Sequence, residues 1–461
     1  MRILYFDIDS LRYDHLGCYG YTRSTSPVID SLAAQGTRYT RCFTPDAPCL
    51  PSRTALFGWK FGLVSGVVNH SGRRAEPFSA GIDRPFRPPC NSWPGVLRQA
   101  GYRTATVSSF ADRHGAWFWL DGFSQVMDPG GRGHEIADDV EPLAAGWLAE
   151  YGREDNWFLH VNYWDAHVPY RTPDCFGNPF ADIPLERGLE EQEIERQKTL
   201  PGMRSAMDSM YYRMRDFSGP RQPKTISSSE DVKRLYDGYD CGINYVDASI
   251  GRILSQLDAM GILDETLIMI SADHGESFGE FGGWSAHCFA EPNTVGIPLI
   301  LCGPGIARNE VDHEFHYSFD IAEKILNMAG VTIPPDWNAS YLPEGREYVV
   351  CSMLAQCAQR AVGFKYDDRF YWYLWTWHDG WHGLDSEMLF NPDDDPQLRH
   401  NLAAEQPEPL SIARRCLEEW RSANITAHGD PLDEVMAEGG PEMVRKMTSD
   451  EYELRLRQTG R

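Results

Sequence analysis

The sequence predicts an α/β fold: a large, mostly parallel sheet sandwiched by helices, followed by a smaller C-terminal α+β subdomain. Three observations carry this reading. Apolar runs at residues 3–8, 102–108, 157–163, 266–271 and 297–302 have the length and continuity of strands covered on both faces. Helical patterns alternate with them, as strand–helix–strand units require. After about Pro335 the pattern shifts to short segments at 346–353, 361–367 and 369–377, as in an antiparallel sheet.

The elements follow in chain order. Residue 3–8 strand first; then Ser26-Pro27 opens a helix with a capping serine and proline at the first position, and Gly36 closes it. Residues 93–100 form a helix before the 102–108 strand, and residues 139–151 form one before 157–163. Residues 231–260 form a long amphipathic helix in which Ile243, Val246, Ile250, Ile253, Leu254 and Leu257 keep helical spacing. Residues 174–229 are polar, charged and rich in Pro and Met, and read as an insertion that shapes a pocket. A helix is expected at 409–422. The expected division is a catalytic domain over 1–335 and a subdomain over 336–461. The charged, helical tail from Asp430 is expected to pack on its own body or on a partner subunit, so an oligomer is an open expectation.

Composition limits the function. The 461 residues carry 43 Lys and Arg against 67 Asp and Glu, a net charge of −24. Nucleic acid and anionic membranes are therefore excluded as default partners, and an anionic ligand needs a local cationic pocket. No apolar run approaches the ~18 residues of a membrane span. The first residues read directly as a strand, so no secretory signal is expected, and the 11 cysteines show no CxxC spacing. Neither a disulfide framework nor a structural zinc site is expected, and a reduced, cytoplasmic setting is.

The sharpest local signal is Cys49-Leu50-Pro51-Ser52-Arg53. A cysteine just before a proline-initiated helix sits where negative charge is favoured, with Arg53 one turn on facing the same point. Alone, this is either a thiol of lowered pKa or a plain buried cysteine. Asp7 and Asp9 lie two apart at a strand end, so strand periodicity puts both on one face. Asp273 and His274 follow another apolar strand, and ends of parallel strands converge on a ligand crevice. Such oxygen-rich donors suit a hard divalent cation, Ca²⁺ first and Mg²⁺ or Mn²⁺ next.

The string C-x-P-S-R-x-x-L resembles the signature of the type I sulfatases, in the alkaline phosphatase superfamily. Other family blocks stand in the same order over nearly the whole chain. They are Asp9–Gly20, Trp164-Asp165-Ala166-His167-Val168-Pro169-Tyr170, Ser271-Ala272-Asp273-His274-Gly275-Glu276, Ile297-Pro298-Leu299-Ile300 and Leu389-Phe390-Asn391 through Asn401-Leu402. The resemblance implies that a formylglycine-generating or radical maturase enzyme oxidises Cys49 to formylglycine, whose hydrate attacks sulfur. It implies a metal held by Asp9, Asp273, His274 and the Cys49 side chain, with Asp7 a candidate substitute. Arg53 is expected to orient the modified residue, with Arg12 a weaker candidate nearby. His167 and His287 are expected to flank the sulfate and the leaving alcohol.

The departures from the family matter. Ser10 stands where many members have a second Asp. Counting eleven residues back from Pro298 lands on His287, where many members have Lys, and its pKa is expected to be pushed up by sulfate and carboxylates. Ser108-Ser109 replaces a G-K-W-H block, and Arg113 and His114 are expected to compensate. His70, with Arg73 and Arg74 beside it, and Lys60 are further candidate substrate contacts. His160 reads as a core residue. His378, Asp379 and His382, among aromatic side chains, read either as sugar contacts or as interface packing. The expected activity is hydrolysis of a carbohydrate sulfate ester, with glycosaminoglycan-derived oligosaccharides as a subclass. A phosphonate monoester or phosphodiester hydrolase of the same superfamily is the alternative, and a non-catalytic anion-binding relative is a third reading.

Overall fold

The computed structural model describes residues 1–78, 92–185, 188–209, 221–334 and 345–446. Its main sheet runs, edge to edge, through Glu310–Asp312, Thr37–Phe43, Gly296–Cys302, Thr266–Ser271, Arg2–Ile8, Trp157–Tyr163, Arg103–Val107 and Gln125–Met127. The short strand His316–Tyr317 also pairs with Thr37–Phe43. Gly296–Cys302 is antiparallel to both neighbours, and the other pairings are parallel. Arg2–Ile8 lies between Trp157–Tyr163 and Thr266–Ser271, with Asp7 level with Asn162 on one side and Ser271 on the other. The strand ends that carry Asp7, Asp9 and Asp273 therefore meet at one rim, as the parallel pattern requires.

Helices Ala137–Tyr151 and Pro27–Gln35 pack against the long helix Ser229–Ala259, whose predicted apolar set is buried throughout. One cap differs from expectation. Ser26 makes no side-chain cap; its hydroxyl donates to Asp30 Oδ1 at 3.0 Å instead. The first free N–H groups of Pro27–Gln35 go to Asp247 of the long helix, Val28 N to Oδ2 at 3.0 Å and Ile29 N to Oδ1 at 2.8 Å. A carboxylate from a distant helix thus satisfies the donors that a helix leaves open at its start.

The second sheet runs Glu387–Phe390, Arg369–His378, Ala358–Tyr366, Tyr348–Met353 and then Asp46–Ala47, the last in parallel. The expected 335/336 boundary falls outside the described residues. What the structure adds is that the chain leading into Cys49 is itself a strand of this second sheet. Trp372 fastens the two sheets, stacking on Phe43 at 5.2 Å and donating Nε1–H to the Ala290 carbonyl at 2.9 Å. The C-terminal helices Pro407–Asn424, Pro431–Ala437 and Glu442–Arg445 end the described chain, and the rest of the predicted helical tail lies beyond the described residues. Among the described residues no helix is long and apolar enough to cross a membrane, and the cysteines are free thiols.

Candidate active site

Cys49 is the first residue of the fully buried helix Cys49–Gly58, rather than the residue before it. Its Sγ lies 3.1 Å from His274 Nε2. His274 donates Nδ1–H to the Gly275 carbonyl at 2.8 Å, which fixes the tautomer and leaves the Nε2 lone pair facing Cys49. One turn along, Arg53 gathers the strand-end carboxylates. Nε and Nη2 bind Asp7 at 2.7 and 3.1 Å, and Nη1 bridges Asp9 at 2.7 Å and Asp273 at 2.6 Å. Ser10, in the left-handed region at φ 61°, donates its N–H to Asp273 Oδ1 and its hydroxyl to Asp9 Oδ1. Ser10 thus fastens two carboxylates to each other's neighbourhood where a second Asp was expected.

Asp9, Cys49, Asp273 and His274 each offer a ligand atom within 4.8 Å of the others. The donor set fits a divalent cation by charge as well. Three fully buried carboxylates face the single guanidinium of Arg53, which leaves two negative charges for a divalent ion to balance. Burial pushes Asp9 up, but Arg53 and then His167 and His274 outweigh it and hold its carboxyl well below the usual range. Asp273 goes the other way: burial, with Asp9 and Asp7 as like charges, outweighs Arg53 and holds it well above. Burial, reinforced by Asp9 and Asp273, also pushes the Cys49 thiol well up. For the unmodified Cys49 this direction is opposite to the lowered-pKa alternative.

Histidines line the other side of this centre. Ring centroids lie 4.4 Å apart for His274 and His287, 5.8 Å for His167 and His287, 6.4 Å for His70 and His287, and 4.9 Å for His70 and His114. His167 donates Nδ1–H to the Val168 carbonyl, which turns Nε2 away from the backbone. Burial, then His274, His167 and His70, push the His287 pKa well down. In the site without substrate, desolvation and neighbouring imidazoles thus dominate; the upward shift expected from the sequence concerns the site with a sulfate ester beside His287. His287 Nδ1 faces Glu276 Oε1 at 3.5 Å.

Two residues were missed. Glu276 is fully buried beside His287, and burial holds its carboxyl well above the usual range. It stands inside a quoted block, two residues past His274, and that spacing was the available signal. Arg204 comes from the insertion, and its charge acts on both Glu276 and His287. Nothing in its neighbourhood in sequence marks it. The backbone there is tied to the main body, with Trp284 N–H donating to the Arg204 carbonyl at 2.7 Å. Arg113, expected to compensate for a missing Lys, packs on Trp164 at 4.9 Å and acts electrostatically on His70, His114 and His167.

Other predicted residues stand apart. Asp7 lies outside the four-donor set: Arg53 takes both of its oxygens and His160 Nε2 lies 3.2 Å from Oδ2. Lys60 follows the C-terminal end of the signature helix, where the chain turns back so that Gly62 N–H bonds Asp46 Oδ2 at 2.6 Å. Asp379 folds its own loop, accepting from the N–H groups of Trp381, Gly383 and Leu384 at 2.9, 2.6 and 2.9 Å. His378 Nδ1 accepts from Gly380 N–H at 3.1 Å. His382 lies between the Met203 and Phe281 carbonyls. Arg12 pairs with Asp14 and Glu280, and Arg74 pairs with Glu434; the Arg73 side chain lies outside the description.

Comparison with known proteins agrees with this arrangement. Residues 2–331 match the family model described as Sulfatase. Choline-sulfatase of Rhizobium meliloti (strain 1021) is 26% identical over 448 residues, spanning 84% of this chain and 79% of that protein. N-acetylglucosamine-6-O-sulfatase of Bacteroides thetaiotaomicron is 22% identical over 402 residues, spanning 73% and 69%. Among solved structures, BT4656 in complex with its substrate D-glucosamine-2-N,6-O-disulfate aligns with TM-score 0.71 at 17% identity, covering 91% of this chain and 97% of that one. The phosphonate monoester hydrolase from Silicibacter pomeroyi aligns with TM-score 0.68 at 20% identity, covering 93% and 98%.

Proposed function

Because the chain belongs to the sulfatase family, we propose that it hydrolyses the sulfate ester of a carbohydrate through a formylglycine made from Cys49 and a divalent cation, calcium in the first instance. The observation that carries this is the convergence of Asp9, Asp273, His274 and Cys49 within 4.8 Å at one rim of the sheet. A sugar substrate is supported by the names of similar proteins, which include N-acetylglucosamine-6-O-sulfatase and N-acetylgalactosamine-6-sulfatase. The likeness to phosphonate monoester hydrolases is one of fold alone, at 20% identity, and is the weaker reading.

A divalent cation held by Asp9, Asp273, His274 and residue 49 would neutralise sulfate charge and lower the cost of ionising the attacking hydroxyl. The chain's own residues do the rest. Arg53 holds Asp9 and Asp273 in one orientation, so the donors need little rearrangement. The start of helix Cys49–Gly58 favours negative charge at residue 49. His167 binds sulfate oxygen. His287, neutral in the free site, takes up a proton as the anionic ester enters and delivers it to the leaving alcohol. Maturation requires an oxidising maturase as a partner.

The test pairs mass spectrometry with a substrate panel. The peptide around residue 49 should have exchanged sulfur and two hydrogens for one oxygen. Glucosamine 6-sulfate should be turned over faster than phenylphosphonate esters. Cys49→Ala and Cys49→Ser should both be inactive with little change in melting temperature; substantial residual turnover in either sinks the mechanism. His287→Ala should lose more rate on the sugar sulfate than on nitrophenyl sulfate, whose leaving group needs no proton. Equal losses would leave His287 a binding residue.

A further inference from the structure

The loop that carries His70 is held by the far end of the chain. Glu442, only 4% exposed, accepts from the N–H groups of His70 and Ser71 at 3.1 and 3.0 Å, both on Oε2. Its Oε1 takes the Ser71 hydroxyl and the Lys446 ammonium, and Lys446 also donates to Ser71 Oγ at 2.7 Å. The segment that delivers Glu442 is itself anchored. Asp430 forms a buried two-point pair with Arg360 at 2.7 and 2.6 Å. Met443 N–H bonds the Ala355 carbonyl at 3.0 Å, and Leu432 and Val435 pack with Val68, Leu354 and Ala358. On the site side, the Nε2 atoms of His70 and His114 are buried without a protein partner. A buried ring nitrogen left open invites a ligand atom.

We propose that residues 430–446 form a clasp, with Glu442 as the positioning residue that aims His70 at the side of the site where His287 stands. One carboxylate binds two successive N–H groups and a hydroxyl, and so fixes the peptide planes on both sides of the residue whose ring it directs. The open nitrogens of His70 and His114 then meet the sugar part of the substrate rather than the reacting sulfate. The clasp is a specificity device built from the second sheet's own appendage. This inference rests on the sulfatase reading above.

The experiment compares Glu442→Ala, Glu442→Gln, His70→Ala and the double variant Glu442→Ala/His70→Ala, using glucosamine 6-sulfate and nitrophenyl sulfate. Glu442→Ala should raise KM for the sugar sulfate about tenfold with kcat nearly unchanged, and leave both constants for the small aryl ester close to wild type. Glu442→Gln keeps a carbonyl oxygen for the two N–H groups and should restore most of the sugar KM. The double variant should be no worse than His70→Ala alone, because the carboxylate acts through that ring. Additive losses in the double variant overturn the clasp. So does an equal fall of kcat on both esters with a lowered melting temperature, which is a merely structural role. Unchanged constants in Glu442→Ala overturn it as well. A wild-type enzyme that turns over neither ester overturns the sulfatase reading, and this inference with it, which separates the two failures.

Discussion

Replacing Arg53 by lysine tests the electrostatic frame of the site directly. The guanidinium commits three nitrogens to four contacts, on Asp7 at 2.7 and 3.1 Å, on Asp9 at 2.7 Å and on Asp273 at 2.6 Å, with all four side chains fully buried. An ammonium is a single point; it cannot span both oxygens of Asp7 and also bridge Asp9 to Asp273. Keeping two contacts forfeits two, at about 1.5–3 kcal/mol for each hydrogen bond to a charged group. The sum, about 3–6 kcal/mol, agrees with the ~3–5 kcal/mol typical of a broken buried pair. A divalent cation offsets the same carboxylates, so the loss should be larger in chelator than in millimolar calcium. Urea unfolding of wild type and Arg53→Lys, with and without calcium, measures both quantities from the midpoint at constant slope. A variant within about 1 kcal/mol of wild type in chelator, or a difference indifferent to calcium, would refute the charge argument.

Two further outcomes follow from burial and capping. His70 is pushed down to about 4, chiefly by burial, against an unfolded value near ~6.5. Between those values the unfolded chain binds the extra proton, so this contribution to stability is present above ~6.5 and is lost as pH falls toward 4; wild type should lose urea resistance on acidification more steeply than His70→Asn, and parallel curves would contradict the assigned direction. Asp247→Ala removes the acceptor for two helix-start N–H groups and should cost about 1–2 kcal/mol, while Asp247→Asn recovers part of it; the midpoint of unfolding reads both, with kcat on nitrophenyl sulfate expected to stay at wild type.

How much of this was legible in the sequence depends on whether a feature has a period. Five strands of the main sheet did, because strands buried on both faces leave continuous apolar runs, and the long helix showed its buried set residue by residue; Thr37–Phe43, Gln125–Met127, Glu310–Asp312 and His316–Tyr317 were not expected. The metal-type donors were legible for the same reason: Asp9 and Asp273 stand just past such runs, and parallel strands must bring those ends together. Asp46–Ala47, two residues long, joins the second sheet with no pattern to announce it. The Asp247 cap reaches a helix start 219 residues away, while Ser26, the local candidate, turns to other partners.

The same distinction applies to His287. Reading along the chain offered carboxylates and an incoming anion, both of which raise an imidazole pKa. Burial and the neighbouring rings of His274, His167 and His70 come from three other segments, and they lower it. Arg204 and Glu442 belong to this class too. One lies in an aperiodic insertion and the other near the chain's far end, and each acts on a histidine that the sequence had already singled out. The reacting centre is therefore written in short, ordered blocks, whereas the charges and clasps that tune it are contributed by segments with no pattern of their own. On the clasp proposed above, substitution at Glu442 alters recognition of the sugar while Cys49, Arg53, Asp273 and His274 stay as they are, because Arg53 and the strand ends hold that second group and not Glu442.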